Sequence, residues 1–406
     1  MLSDEIMEQL TDTLSQRMQT TNEKIIKQVA ETIKEIGTMT PTEANKMIQI
    51  IKYGGDYEKI VNELKKTTKL TQKDIEKVFE EIAKKDYKFA KRFYEYRKLK
   101  YIPWDQNEAL KNQTMAIASE VNKEVQKIVA KNTLGLGVKK AKDKVEYKGL
   151  KKAYFDIVDN GILNISQGKE TFDSLMYGQI RELGENGLIV MYKEGYHLPI
   201  ETALRMIILD GIRTLHNEIQ DIIGEQFDAD GVEITVHSNP APDHAYAQGR
   251  QLYKSEWEKL QITGRAETVD HKQLDLHRGY ETFRPISKMN CYHEKNNIII
   301  GVNKPQYTDK QLQEILDQNE KGFEYDGKHY TMYEGTQLQR RIENEIRKAK
   351  RFQISAINGD NEKGIIKAQS KITKLNKVYK EISEASGLKP KTNRMKVPGY
   401  KRIRIN

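Results

Sequence analysis

Apolar side chains recur at helical spacing over about the first 225 residues of the chain. The first series steps by four and comprises Leu2, Ile6, Leu10, Leu14 and Met18. A one-sided stripe of this kind predicts an amphipathic helix. The widest stripe follows Pro199 and covers residues 200–223, with Gly211 inside it. Because Gly costs a helix about 1 kcal/mol relative to Ala, we expect Gly211 to mark close packing between helices.

Local signals divide the first hundred residues into short helices. Thr40-Pro41-Thr42-Glu43 places a capping residue before Pro and an acid three positions on, which predicts a helix start. Thr71 with Asp74 predicts a second start, and Gly54-Gly55 predicts a break. We therefore expect a helical bundle over residues 1–104 and a helical middle region over 105–230.

The apolar period changes to two at residue 231. Val232, Ile234 and Val236 alternate with polar residues, which predicts a half-buried strand. A second strand is expected at 298–302, and two more should flank Asp326-Gly327, a dipeptide suited to a tight hairpin turn. The segment 231–335 is therefore predicted to be a small α+β domain.

Helical spacing returns at 337–353, where Arg351 and the other basic side chains are expected to face mostly outward. Asn358-Gly359-Asp360 predicts a turn, and a second helix with a heptad-like seam should end at Gly387. Residues 336–388 thus predict a helical hairpin that serves as an interaction arm. The expected fold class is α+β, mostly α, with a helical N-terminal half, a small central α+β domain and a C-terminal helical hairpin with a basic tail.

Composition adds a charge asymmetry to this outline. Of the 406 residues, 37% are apolar, which is low for one deep core, so we expect an elongated or multi-part molecule.

The net charge is +9, and much of the excess lies in residues 389–406, the basic tail, which has no acidic residue. Its seven cations are Lys389, Lys391, Arg394, Lys396, Lys401, Arg402 and Arg404. Unopposed charges repel one another, so the tail is predicted to bind DNA phosphates or an acidic protein surface.

The remaining composition indicates a protein folded in a reducing cytoplasm. Cys291 is the single cysteine, so an internal disulfide is excluded. We find no apolar run long enough to span a bilayer, and the first ten residues carry acids where a signal peptide has a basic run. We therefore expect no export signal and no membrane partner.

Residues with metal-binding chemistry concentrate in the central domain, where five of the eight histidines lie between His237 and His293. Cys291, His293 and His244, here named the His–Cys cluster, are candidate zinc ligands, and a histidine-and-metal nuclease is the enzymatic alternative. Against zinc, only one thiolate is available and the Cys-x-His spacing is short. Against the nuclease, no acidic cluster is evident to hold magnesium. We expect these histidines to fix loops by hydrogen bonds, with no cofactor and no catalytic residue assigned.

Three blocks of residues together carry a family resemblance. They comprise His237, Pro242, His244, Gln248 and Gly249, then Asn290, Cys291 and His293, then Gln337, Arg340 and Arg341. These blocks are similar to the minor capsid proteins, of the minor capsid protein 2 type, of phages of Gram-positive bacteria. That family is related to the head morphogenesis proteins of Mu-type phages. The sequence departs from the family pattern at Asn239, Pro240, Ala241, Ala247 and Tyr292, which favours an architectural role for the histidine block.

The resemblance implies a virion structural protein of the phage head, made in the bacterial host cytoplasm. It implies a position at or near the portal, with portal, major capsid or scaffold protein as partners. Its role would be in head assembly and in DNA packaging or ejection, with double-stranded DNA bound through the basic tail. A non-enzymatic function is expected, and the alternative is a metal-dependent nuclease or other hydrolase built on the His–Cys cluster.

Overall fold

The computed structural model describes residues 4–40, 43, 52–96, 98–130, 133–141, 144–167, 169–193, 195–288 and 291–403. Its helices are α1 Asp4–Gly37, α2 Lys52–Tyr96, α3 Glu108–Ile128, α4 Leu150–Gln167, α5 Lys169–Asn186, α6 Ile200–Gln226, α7 Lys254–Thr263, α8 Asp309–Lys321, α9 Met332–Asn358 and α10 Glu362–Ser386. Its strands are β1 Leu134–Ala141, β2 Lys144–Gly149, β3 Ile189–Met191, β4 His197–Pro199, β5 Gly231–Ile234, β6 Gln251–Tyr253, β7 Arg265–Glu267, β8 Gln273–Asp275, β9 Lys295–Ile298, β10 Phe323–Tyr325 and β11 Lys328–Tyr330. Helices predominate beside small sheets, so the predicted fold class, α+β and mostly α, is confirmed.

Helix α2 is one long helix of 45 residues, and the prediction of short helices here is wrong. It runs through Gly54-Gly55, and Thr71 lies inside it with its hydroxyl donating to the Thr67 carbonyl at 2.9 Å. Buried apolar side chains such as Phe79 recur along its inner face, and this burial outweighs the helix propensity that two glycines cost. Thr40 and Glu43 do exchange the hydrogen bonds of a capping box, while Pro41 and Thr42 lie outside the described residues.

The middle region contains a four-stranded sheet, in the order β2-β1-β3-β4, that the helical pattern did not predict. Gly135 and Gly137 lie in β1, where a Cβ on Gly135 would be 2.5 Å from the carbonyl oxygen of Lys148. A Cβ on Gly137 would be 2.4 Å from the carboxylate of Glu182 on α5. The glycines therefore let a strand and a helix approach β1 closely. The prediction that the first half of the chain is entirely helical is wrong for the segments that form β1 to β4.

One apolar core joins helices α1 to α6 with side chains of the C-terminal hairpin, among them Phe352 and Ala368. A Cβ on Gly211 would lie 2.3 Å from Val121 of α3, so the predicted close packing at this glycine is confirmed. The domain boundaries at residues 104, 230 and 335 stay predictions, although this core includes residues on both sides of 104. Among the described residues, no helix is long and apolar enough to cross a membrane.

The C-terminal hairpin of α9 and α10 turns at Asn358-Gly359-Asp360 and is capped by Gly387, whose φ is +68°, as predicted. It lies against the helical half of the molecule. Arg351 is only 2% exposed, donates to the carbonyls of Gly184 and Glu185, and pairs with Glu201 on α6. The prediction that Arg351 faces outward is wrong, because these distant oxygens compensate its buried charge.

The central segment forms a second, smaller core around a three-stranded antiparallel sheet in the order β6-β5-β9. Strand β5 is buried along its whole length rather than half-buried, and β9 begins before the predicted 298–302. The turn at Asp326-Gly327 has φ of +50° and +69°, so the predicted β10–β11 hairpin is confirmed. Helices α7 and α8 and the β7–β8 hairpin were not predicted.

Candidate functional site

The His–Cys cluster is assembled by the pairing of β5 with β9. These strands are antiparallel, with Ile234 opposite Lys295, so the loop after β5 lies beside the loop before β9. The first loop carries His244 and the second carries Cys291 and His293. The fold therefore brings together side chains that are 47 positions apart.

Three ligand atoms converge in this cluster. The Sγ atom of Cys291 lies 3.1 Å from Nδ1 of His244 and 3.5 Å from Nδ1 of His293. The three side chains are between 1% and 4% exposed, and their ligand atoms all lie within 4.8 Å of one another. Within the described part of the chain, this is the one group of three or more His, Cys, Asp or Glu residues placed to hold a metal ion.

In each imidazole ring, the nitrogen that faces away from Cys291 is Nε2. The hydrogen bond made by this atom fixes which ring nitrogen carries the proton. Nε2 of His244 lies 2.7 Å from the carbonyl oxygen of Arg284, which can only accept, so Nε2 is the donor. Nε2 of His293 lies 3.3 Å from Oε1 of Gln248, and that oxygen also accepts from the backbone N–H of His237 at 3.0 Å. In the neutral form of each ring, the Nδ1 lone pair therefore points at Cys291.

Burial keeps the cluster uncharged. Burial lowers the pKa of His244, although the carboxylate of Asp243 opposes this. Burial and then the neighbouring His237 lower the pKa of His293 well below its usual value. Burial also raises the pKa of the Cys291 thiol. Without a bound metal, two neutral imidazoles and a neutral thiol are thus favoured at neutral pH.

A second layer of contacts holds the two loops around the cluster. The guanidinium of Arg284 donates to both carboxylate oxygens of Asp243, at 2.9 and 3.0 Å. Ser287 donates to the carbonyl of His293 at 2.8 Å. Gly249 has a φ of +70°, a backbone conformation that favours glycine, and a Cβ there would also displace the Leu312 side chain, which it would approach to 2.6 Å.

Other residues highlighted by the sequence lie elsewhere. His271 and His277 lie around the β7–β8 hairpin, where they contact Glu267 and Asp275. His237 is next to the cluster, with Nε2 donating to the Tyr292 carbonyl at 2.7 Å. Pro242 is exposed and Asn290 lies outside the described residues.

Tyr292 connects this loop to two helices, a contact that sequence reasoning missed. Its ring lies 5.0 Å from the guanidinium carbon of Arg213 on α6 and 5.8 Å from that of Arg340 on α9. Gln337 and Arg341 also belong to α9, where Gln337 is half-buried and Arg341 is exposed. Arg284 and Arg213 were not singled out either, because no local spacing indicates a partner so distant in sequence.

The described part of the basic tail is docked through its main chain. Arg347 and Lys350 of α9 donate to the carbonyls of Arg394 and Met395 at 2.7 Å, and Gln19 of α1 donates to the carbonyl of Lys396 at 3.1 Å. Met395 is buried in a small apolar cluster with Ile346 and Tyr379. The guanidinium of Arg394 lies 3.6 Å from the carboxylate of Glu343, so this charge has an acidic partner within the chain.

The other cations of the tail are displayed on this docked segment. The exposed residues are Lys389, Lys391, Lys396, Lys401 and Arg402. Arg404 lies outside the described residues. The tail therefore presents several positive side chains from a backbone that is held in place.

A family model described as Phage minor capsid protein 2 matches residues 2–382, which is most of the chain. The matched range contains the His–Cys cluster and most of the hairpin, and it ends before the basic tail. No curated protein matches the chain, and no solved structure matches it.

Proposed function

Because this chain belongs to the phage minor capsid protein 2 family, we propose that it is built into the phage head at or near the portal, where it binds head proteins and packaged double-stranded DNA. The family makes it a phage minor capsid protein and a component of the virion. The portal position, the protein partners and the DNA contact are our proposals. The portal protein, the major capsid protein and the scaffold protein are the partners we propose.

The observation that carries the DNA contact is the docked basic tail. Five exposed cations project from a main chain that α1 and α9 hold through the carbonyls of residues 394–396. Cations on an ordered segment bind phosphate with a smaller loss of chain entropy than cations on a flexible one. Contacts to phosphates carry no sequence information, so we expect binding that does not depend on DNA sequence.

A charge variant tests this contact better than a truncation, because truncation would also remove the buried Met395. Lys389, Lys391, Lys396, Lys401 and Arg402 are replaced together by Gln, and DNA affinity is measured against salt concentration. Each neutralised phosphate contributes about 0.9 to the slope of log affinity against log salt, so the slope should flatten by up to roughly 4.5 if all five side chains contact phosphates. An unchanged slope would show that the tail does not contact DNA.

A matched control removes the same charge from a different surface. Lys65, Lys66, Lys69, Lys73 and Lys77 are exposed lysines of α2, and their replacement by Gln lowers the net charge equally. We expect the slope of this variant to stay close to that of the wild type. Equal flattening in both variants would indicate an effect of net charge alone.

The protein partners are tested by assembly. The chain is co-expressed with portal, major capsid and scaffold proteins, and bound components are identified after purification. An asymmetric reconstruction of the phage head then locates the chain. Its absence from the portal vertex would refute the proposed position.

The alternative is a metal-dependent nuclease or other hydrolase on the His–Cys cluster, favoured by the convergence of the three ligand atoms. The burial of all three side chains weighs against it, because a scissile phosphate must reach the reacting atoms. The carboxylate of Asp243, 3.6 Å from Nε2 of His244, is already engaged by a bidentate pair of hydrogen bonds from Arg284. Plasmid nicking that is lost in His244→Ala, with folding retained, would support the hydrolase instead.

A further inference from the structure

The His–Cys cluster contains more inward-facing lone pairs than protons. His244 and His293 each use the Nε2 proton for a carbonyl oxygen outside the cluster, so both Nδ1 lone pairs point at the sulfur of Cys291. The thiol has one proton and can donate it to only one of the two nitrogens. One buried acceptor then faces the sulfur without a proton between them, which costs free energy in a dry interior.

A divalent cation resolves this mismatch. Zn²⁺ bonds to thiolate sulfur at about 2.3 Å and to imidazole nitrogen at about 2.0–2.1 Å with tetrahedral angles, which sets sulfur-to-nitrogen separations of roughly 3.5 Å. The corresponding separations here are 3.1 and 3.5 Å. Zinc would therefore change the two sulfur-to-nitrogen separations by at most about 0.4 Å. The ligand nitrogens of the two histidines, which lie within 4.8 Å of one another, would come to roughly 3.3 Å in the same geometry.

The outer contacts have the form that surrounds metal-bound histidines. A histidine ligand usually donates its second ring N–H to a carbonyl or carboxylate oxygen, which fixes the tautomer and orients the other nitrogen. His244 does this with the Arg284 carbonyl and His293 with the Gln248 side chain. One thiolate and two imidazoles form a donor set that suits Zn²⁺.

We propose that His244, Cys291 and His293 bind one zinc ion that joins the loop after β5 to the loop before β9. Among the described residues, the small core of this domain has eleven buried apolar members, Cys291 included, so it gains from a cross-link between distant segments. Three protein ligands leave one tetrahedral position for a further ligand. The site has a structural role, and it does not depend on the proposed DNA contact.

Metal content tests the proposal directly. The full chain is produced with zinc in the medium, purified without chelators and analysed by mass spectrometry of the metal. We expect about one zinc per chain in the wild type, and a loss of at least roughly tenfold in Cys291→Ser and in His293→Gln. His271→Gln is the matched control, because His271 is exposed outside the cluster, and it should keep its zinc.

A second measurement separates lost ligation from lost folding. Wild-type protein is loaded with Co²⁺ and should show the intense near-ultraviolet absorption of a thiolate bound to cobalt, which added Zn²⁺ removes. The control variant should show the same band. Wild-type protein that is folded by circular dichroism but takes up less than about a tenth of an equivalent of either metal would overturn the proposal. So would a Cys291→Ser variant that retains full metal content.

Discussion

The contact between α5 and α9 gives a prediction with a defined sign. A Cβ on Gly184 would lie 2.3 Å from Cα and 2.7 Å from N of Phe352, and 2.6 Å from Oγ of Ser355. Ordinary carbon contacts are about 3.5–4.0 Å, so Gly184→Ala must move the two helices apart by roughly 1 Å. Two of these three atoms, Cα and N of Phe352, are main chain, so no rotamer change can relieve the clash with them.

The cost of Gly184→Ala follows from this geometry. Overpacking of a core typically costs about 1–3 kcal/mol. The same shift would distort the hydrogen bond from Arg351 to the Gly184 carbonyl, and a hydrogen bond from a charged donor contributes about 1.5–3 kcal/mol. The helix propensity of Ala offsets about 1 kcal/mol of this. We expect the free energy of unfolding to fall by about 2–4 kcal/mol, measured by urea denaturation.

Gly178→Ala is the matched control on the same helix. Its Cβ would be 3.2 Å from Cε of Lys139, and this flexible side chain can move by the few tenths of an ångström required. The same substitution should therefore raise the free energy of unfolding by up to about 1 kcal/mol, through helix propensity alone. If both variants are stabilised, the close α5–α9 contact does not exist as described.

Two buried titratable groups predict a pH dependence of stability. Burial raises the pKa of Glu23 from its usual 4.5 to about 8, although the charge of Arg351 opposes this. The folded state therefore holds this proton more tightly than the unfolded state does. Stability is lost as pH rises from 4.5 through about 8. Glu23→Gln should therefore be more stable than the wild type above about pH 8, with a smaller advantage near pH 5; a constant difference across this range would contradict the reasoning. Burial opposes protonation of His216, but its hydrogen bond to Asp86 and the charge of Glu294 outweigh burial and raise the pKa above 6.5. His216 thus contributes stability that is fully present below pH 6.5 and lost as pH rises through the raised pKa. The deficit of His216→Gln, measured by denaturation at several pH values, should shrink as pH rises through this range, and a deficit that grows would refute the assignment.

The candidate site was only partly accessible from sequence. The histidines and Cys291 stood out as a local concentration of ligand types, but the sequence did not separate those that meet from those that do not. His244 joins His293 and Cys291, whereas His271 and His277 lie around another hairpin. Ligand identity can thus be predicted from residue type, while ligand grouping depends on how β5 pairs with β9.

The sequence by itself determined the features that depend on neighbours within a few positions. The apolar stripe of α6, the Asp326-Gly327 turn and the Gly387 cap follow from helical period and backbone preference, which act locally. Only the tertiary structure decided that Arg351 is buried and that the basic tail is docked on α1 and α9. Those outcomes depend on oxygens and cations supplied by residues far away in the chain, and no spacing rule connects such partners before the helices pack.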